Sequence, residues 1–179
     1  ADFDEADWRD DARAFIQSCS KLGVPAALEI SRSGNGAHAW VFFASPISVR
    51  DARRLGTAII SHTCSRTRQL KLESYDRLFP NQDTMPKGGF GNLIAWPLQK
   101  GPRKSGCSVF VDSELRPYPD QWEFLASIQL MATHDIEPTA SRRRPTTLDD
   151  TESPRAIISS DSAAPRRKEC TLLISPLRM

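Results

Sequence analysis

The sequence predicts an α+β domain whose sheet is mixed or antiparallel. Three observations carry this. Trp8, Ala12, Phe15, Ile16, Cys19 and Leu22 recur at helical spacing. The runs 26–30 and 38–43 are short and rich in strand formers. A second helical pattern follows them rather than alternating with single strands, giving the order strand, helix, strand, strand, helix, then mainly strands.

Taken in order, Asp2 to Asp4 reads as the end of a strand whose body lies upstream of residue 1. The first helix is capped by Asp7 and stopped by Gly23 and then Pro25. Ala26 to Ile30 is a buried strand, and His38 to Phe43 is another, ended by Pro46. Ser48, with Asp51 three residues on, starts a second helix in the manner of a capping box. That helix runs to about His62, with Val49, Ala52, Leu55, Ile59 and Ile60 inside. Leu70, Leu72, Ser74 and Asp76 share one face of a further strand. A long Pro/Asn/Gly loop spans Phe79 to Gly91. Leu93 to Trp96 and Ser108 to Val111 are short strands, and Pro119 starts a last helix through Trp122, Leu125, Ile128 and Met131. Trp8, Trp40, Trp96 and Trp122 are expected in the core.

At 179 residues the chain suits one domain with a tail. Composition changes near Thr133, so residues 1–133 read as the domain and 134–179 as a disordered Ser/Pro/Arg-rich tail with basic runs at 142–144 and 166–168. A net charge of +2 is too small to argue for nucleic acid. Hydrophobic content of 39% suffices for a core over part of the length. No apolar run is long enough to span a membrane, and no basic-then-apolar leader is visible at the start. A cytoplasmic location without a membrane partner is expected. Cys19, Cys64, Cys107 and Cys170 are scattered, with no C-x-x-C pair. That argues against a zinc knuckle or a disulfide framework and for reduced, buried thiols.

The chemistry concentrates in three places. Asp2 and Asp4 are two apart, so in a strand their carboxylates share a face, as oxygen ligands of Mg²⁺ or Mn²⁺ would. Asp76, at the end of a strand, is the third carboxylate. Three such acids can hold two metal ions roughly 4 Å apart, which suits phosphoryl or nucleotidyl transfer. The turn Ser31-Arg32-Ser33-Gly34-Asn35-Gly36-Ala37-His38 is the second place. Gly34 and Gly36 allow left-handed angles and close approach of a ligand, successive N–H groups can form an anion nest, and Ser33 and His38 can donate to phosphate oxygens. The bland alternative is an ordinary hairpin with a half-buried His. Lys87, among the glycines of the long loop, suits a phosphate or a stacked base; a flexible surface loop is the alternative.

The run from Ser31 to Trp40 resembles the second motif of archaeo-eukaryotic primases. Ser74-Tyr75-Asp76-Arg77-Leu78-Phe79-Pro80-Asn81-Gln82-Asp83 resembles the block around their third motif, and Lys87-Gly88-Gly89-Phe90-Gly91-Asn92-Leu93-Ile94, then Pro97-Leu98, follows it. Together these blocks resemble the primase domain of TOTE conflict systems, mobile bacterial loci in which that domain is commonly fused or linked to a helicase and a nuclease. The resemblance covers about residues 1 to 131. It implies an RRM-like catalytic sheet flanked by helices, beside a smaller N-terminal α/β unit. It implies DNA primase or primase-polymerase activity, with a DNA or RNA template and NTP or dNTP as substrates. Asp2 and Asp4 match the first-motif metal acids. His38 matches the His that contacts the incoming phosphates, with Ser33 beside it, and Asp76 matches the third acid. Lys87 is a reading of the loop, not a motif residue. Because the chain begins at the first motif, an N-terminally truncated catalytic core is expected, and the tail after Thr133 does not resemble the family. Two other functions stay open. One is a decayed primase fragment that only binds nucleic acid. The other is a metal-dependent nuclease, for which the sequence offers no obvious general base near the acids.

Overall fold

A computed structural model describes residues 1–4, 6–66, 75–81 and 94–141. The elements are β1 (Asp2–Phe3), α1 (Trp8–Leu22), β2 (Ala27–Ile30), β3 (Ala37–Trp40), α2 (Val49–Arg66), β4 (Tyr75–Arg77), α3 (Lys100–Arg103), β5 (Val109–Val111), α4 (Gln121–Ser127), a 3-10 turn (Thr133–Asp135) and α5 (Ile136–Ser141). The strands form one sheet in the order β4-β1-β3-β2-β5. Every neighbouring pair is antiparallel. The β2–β3 hairpin places β3 between β1 and β2, and each strand meets neighbours running the other way. The mixed-sheet alternative therefore gives way to an antiparallel one.

β1 is an inner strand of this sheet, between β4 and β3. Ala1 extends it, its N–H donating to Ala39 O at 2.9 Å while Ala39 N–H donates to Ala1 O at 2.8 Å. Phe3 points to the helix side and is fully buried. Its ring meets Phe15 of α1 at 5.5 Å and Tyr75 of β4 at 6.1 Å, both edge-on. Trp8, Ala12, Phe15, Leu28, Ala37, Ala39, Leu55 and Ile59 complete that core, so α1 and α2 cover one whole face. A smaller cluster, Ala27, Leu98 and Phe110 with Trp40, Phe124 and Leu125 against it, covers the β2–β5 end of the other face.

The helix signals act through identifiable bonds. Gly23 takes φ 73, and Val24 N–H reaches Cys19 O at 2.8 Å, closing α1 with a left-handed cap. Asp7 precedes α1 without a side-chain capping bond. At α2, Ser48 Oγ accepts from Asp51 N–H at 3.0 Å and donates to Asp51 Oδ2 at 2.7 Å. α2 continues to Arg66, beyond the expected end at His62. Arg66 Nη2 donates to Ala14 O at 3.0 Å, a tie to α1 that no local signal announces.

Other expectations differ. β3 ends at Trp40, and residues 94–96 form no strand. The last helix is capped by Asp120, whose side chain accepts from Trp122 N–H and Glu123 N–H, and it stops at Ser127. Met131 leaves it to bridge Phe43 in parallel. Trp8 is core, and Trp40 is half-buried. Trp96 and Trp122 stand 68% and 58% exposed, because α4 presents Leu125 and Phe124 rather than Trp122 to the small cluster. The folded part also extends past Thr133: Ile136 and Thr139 of α5 are buried, and Arg54 of α2 grips Glu137 at 2.9 and 3.0 Å. Residues 142–179, including both basic runs, lie outside the described residues, as do the expected strand at 70–74 and most of the long loop. Burial pushes the Cys19 thiol up to about 12. Cys64 is exposed and Cys107 half-buried, so only one of these thiols is the buried kind expected. No described helix is long and apolar enough to cross a membrane.

Candidate active site

One row of paired residues crosses the sheet. Arg77 of β4 lies opposite Asp2 of β1, Asp2 opposite His38 of β3, His38 opposite Glu29 of β2, and Glu29 opposite Phe110 of β5. Directly paired residues project to the same side of an antiparallel sheet. Phe3 takes the helix side, so its neighbour Asp2 takes the other, together with His38 and Glu29.

The imidazole of His38 sits between two carboxylates. Nδ1 is 3.1 Å from Glu29 Oε2, and Nε2 is 3.3 Å from Asp2 Oδ1. Glu29 is 1% exposed. A carboxylate this deep is tolerated only when its oxygens are matched by donors. Here Trp40 Nε1–H donates to Oε2 at 2.6 Å, Ser108 Oγ–H donates to Oε1 at 3.1 Å, and His38 faces Oε2 as the third partner. With Glu29 ionised, Nδ1 of His38 is the donor. Burial alone would push the His38 pKa down. The close approach of Asp2, the hydrogen bond to Glu29 and the charge of both outweigh it and raise the pKa from 6.5 to about 9. The two carboxylates thus favour the imidazolium form of His38.

Among the described residues, Asp2 Oδ1 is buried and receives no well-aligned hydrogen bond. Its 3.3 Å approach to His38 Nε2 is an ion pair out of hydrogen-bonding alignment. A buried oxygen with lone pairs to spare is the kind of atom a cation takes. Asp4 stands just past the end of β1, against the turn. A Cβ placed at Gly36 would collide with Asp4 Oδ1 and with the carbonyl oxygen of Phe3. Gly36 thus serves close approach to Asp4, not a left-handed angle; of the two turn glycines only Gly34, at φ 78, is left-handed.

The turn is closed by its own hydrogen bonds. Gly34 N–H donates to Ser31 O at 3.0 Å, and Asn35 N–H to Ser33 Oγ at 3.2 Å. These two N–H groups are engaged within the turn, which leaves them no role in an anion nest. Ser33 is exposed at the rim, its Oγ 3.0 Å from Ser31 Oγ. Asp76 lies on β4 beside β1. Arg77 pairs with Asp2 and Tyr75 with Phe3, so Asp76 is the extra residue of a bulge, a device that re-aims side chains at sheet edges and sites.

Of the residues singled out in the sequence, Asp2, Asp4, His38 and Gly36 come together at the β1–β3 junction. Gly34 and Ser33 border it, the backbone of Asp76 is on the adjoining strand, and Lys87 lies outside the described residues. No group of three metal-type ligands is assembled among the described residues. Glu29, Trp40 and Ser108 were not singled out. One signal pointed to Glu29: it is the sole charge in the apolar run 26–30, and a charge inside a buried strand demands partners.

Two acids and a histidine thus stand together on inner strands of the sheet. The family model for the archaeo-eukaryotic primase domain of TOTE conflict systems matches residues 1–139. The chain belongs to that family and is a primase-family domain. No curated protein matches it.

Proposed function

We propose that this domain catalyses metal-dependent, template-directed nucleotidyl transfer as a DNA primase or primase-polymerase. The observation that carries the reading is the buried, unmatched Oδ1 of Asp2 beside a histidinium, on the sheet face that also holds Asp4. Family membership supports it. The β-α-β-β-α-β order with β1 and β3 at the centre supports an RRM-like core.

In this reading Asp2, Asp4 and Asp76 would hold two Mg²⁺ or Mn²⁺ ions, and bound ions would supply Lewis-acid polarisation and charge neutralisation for attack by a 3′-hydroxyl. The chain's own groups do the rest. His38, with Nδ1 committed to Glu29, keeps its Nε2 proton on the site side for a phosphate oxygen of an NTP or dNTP. Ser33 adds a hydroxyl at the rim, Gly34 and Gly36 keep that rim close, and Lys87 contributes a cation. A DNA or RNA template lies along the same face. The domain works in the cytoplasm with a helicase and a nuclease from the same locus.

The second reading, nucleic-acid binding without transfer, has its own observation. Arg103 stacks 5.4 Å over the exposed Trp122 ring, and Lys100 and Lys104 flank it. Cations interleaved with an exposed aromatic suit a single strand.

The test is a labelled primer-template incubated with nucleotides and Mn²⁺ or Mg²⁺. Extension by the wild type, lost in Asp2→Asn and in His38→Ala, is expected. A folded wild type that binds the strand salt-sensitively, ignores the metal and extends nothing would favour the second reading. Shortened primer would mean a nuclease.

A further inference from the structure

Glu29 is a buried carboxylate that the transfer reading meets only as the partner of His38 Nδ1. It is 1% exposed, it sits on β2 directly across from His38, and its two oxygens face three donors from two places in the chain: His38 and Trp40 of β3, and Ser108 just before β5. Such a carboxylate cannot swing. Trp40 pulls on Oε2 at 2.6 Å and Ser108 on Oε1 at 3.1 Å, so the carboxylate plane is fixed from both ends. Ser108 is itself held, its Oγ accepting from Gln99 N–H at 3.2 Å and its backbone N–H reaching Ser31 O at 3.4 Å. The cluster thus joins β5 and the segment before α3 to the turn that borders the site.

We infer that Glu29 is a positioning residue: it locks the His38 ring with Nδ1 inward and Nε2 toward Asp2, and Trp40 and Ser108 hold Glu29 in turn. A histidine on a strand has two ring orientations of similar shape, and the hydrogen bond at one nitrogen decides which nitrogen faces the ligand. Carboxylate partners that orient a functional histidine are worth about 10–100-fold when removed. Because Oε2 alone serves both His38 and Trp40, a glutamine presenting its carbonyl oxygen there keeps both bonds. A leucine keeps none.

The first measurement needs no nucleotide, metal or turnover. In ¹⁵N-labelled wild type, the Nδ1–H proton of His38 is expected as a low-field resonance protected from exchange with water, retained in Glu29→Gln and lost in Glu29→Leu. Its absence in the wild type, or its survival in Glu29→Leu, overturns the inference. If Glu29→Leu does not fold, the wild-type and Glu29→Gln spectra still decide, since loss of the resonance in a folded glutamine variant contradicts a purely geometric lock. The kinetic arm rests on the transfer reading. There, Glu29→Leu raises the nucleotide KM about tenfold or more, Glu29→Gln recovers most of that, and Glu29→Leu combined with His38→Ala is no worse than His38→Ala alone. Additive losses would mean that Glu29 acts on stability and not through His38. A wild type with the protected proton but no extension would leave the positioning intact and remove the transfer reading.

Discussion

Phe3 and Asp2 are adjacent residues of one short strand, and their surroundings are opposites. Phe3 enters a face covered by two helices, where its ring meets Phe15 and Tyr75 and is fully buried. Asp2 enters a face whose apolar cover, among the described residues, lies toward β2 and β5, and there it meets His38, itself backed by Glu29. The first face is held by shape and apolar area. The second is held by matched charge and keeps one carboxylate oxygen unmatched. Burying a pleated strand on one side secures the fold, which frees the other side to carry groups that are costly to bury.

That contrast is testable from both sides. The largest effect is expected at Asp2→Asn, which keeps the shape and removes the charge. Extension should fall to background while a cooperative unfolding transition persists in circular dichroism; a folded variant that still extends primers would erase the functional half of the contrast. Phe3→Ala should do the reverse. It removes a buried ring at the crossing of β1, β4 and α1, so urea unfolding should show a loss of about 3–5 kcal/mol. A loss below about 1 kcal/mol would mean that this face does not hold the fold.

Next in size is the pH response. His38 has a folded-state pKa of about 9 against 6.5 unfolded. Its ion pairs therefore stabilise fully below pH 6.5, and that contribution is lost as pH rises through 9. The difference corresponds to on the order of 3 kcal/mol. Urea unfolding at pH 6, 7.5 and 9.5, with His38→Gln as reference, should show a wild-type advantage that shrinks with pH. An advantage that grows with pH would put the proton elsewhere. The smallest effect is expected at Gly36→Ala. Its methyl group meets Asp4 Oδ1 and the fixed Phe3 carbonyl oxygen, so a cost of about 1–3 kcal/mol is expected, with reduced extension. Unchanged stability and activity would show that Asp4 is not seated against the turn.

Much of the frame was legible before any coordinates. The apolar spacing of α1, the Gly23 stop and the Ser48–Asp51 start are local devices, and each works through bonds within a few residues. The α4 end was not legible. Trp122, Leu125, Ile128 and Met131 hold helical spacing, but Met131 N–H bonds Phe42 O at 2.8 Å, and that distant partner ends the helix early. The fate of Trp96 and Trp122 was illegible for a related reason: apolar character does not say which face of a short helix finds a partner. α5 was hidden by its polar composition, because what folds it is α2, through Arg54 and Glu137.

For the site, residue types and order alone singled out Asp2, Asp4 and His38, since two acids at strand spacing and a His after a Gly turn suit one chemistry whatever surrounds them. Sequence likewise determined the family and the helix boundaries set by caps. Only the tertiary structure decided that β1 lies between β3 and β4, that Gly36 is needed for close approach to Asp4 and not for its own backbone angle, and that Glu29 stands behind His38. Caps and spacing act over one or two turns of chain. Strand register and the pairing of buried charges join residues far apart in sequence, and no local pattern encodes them.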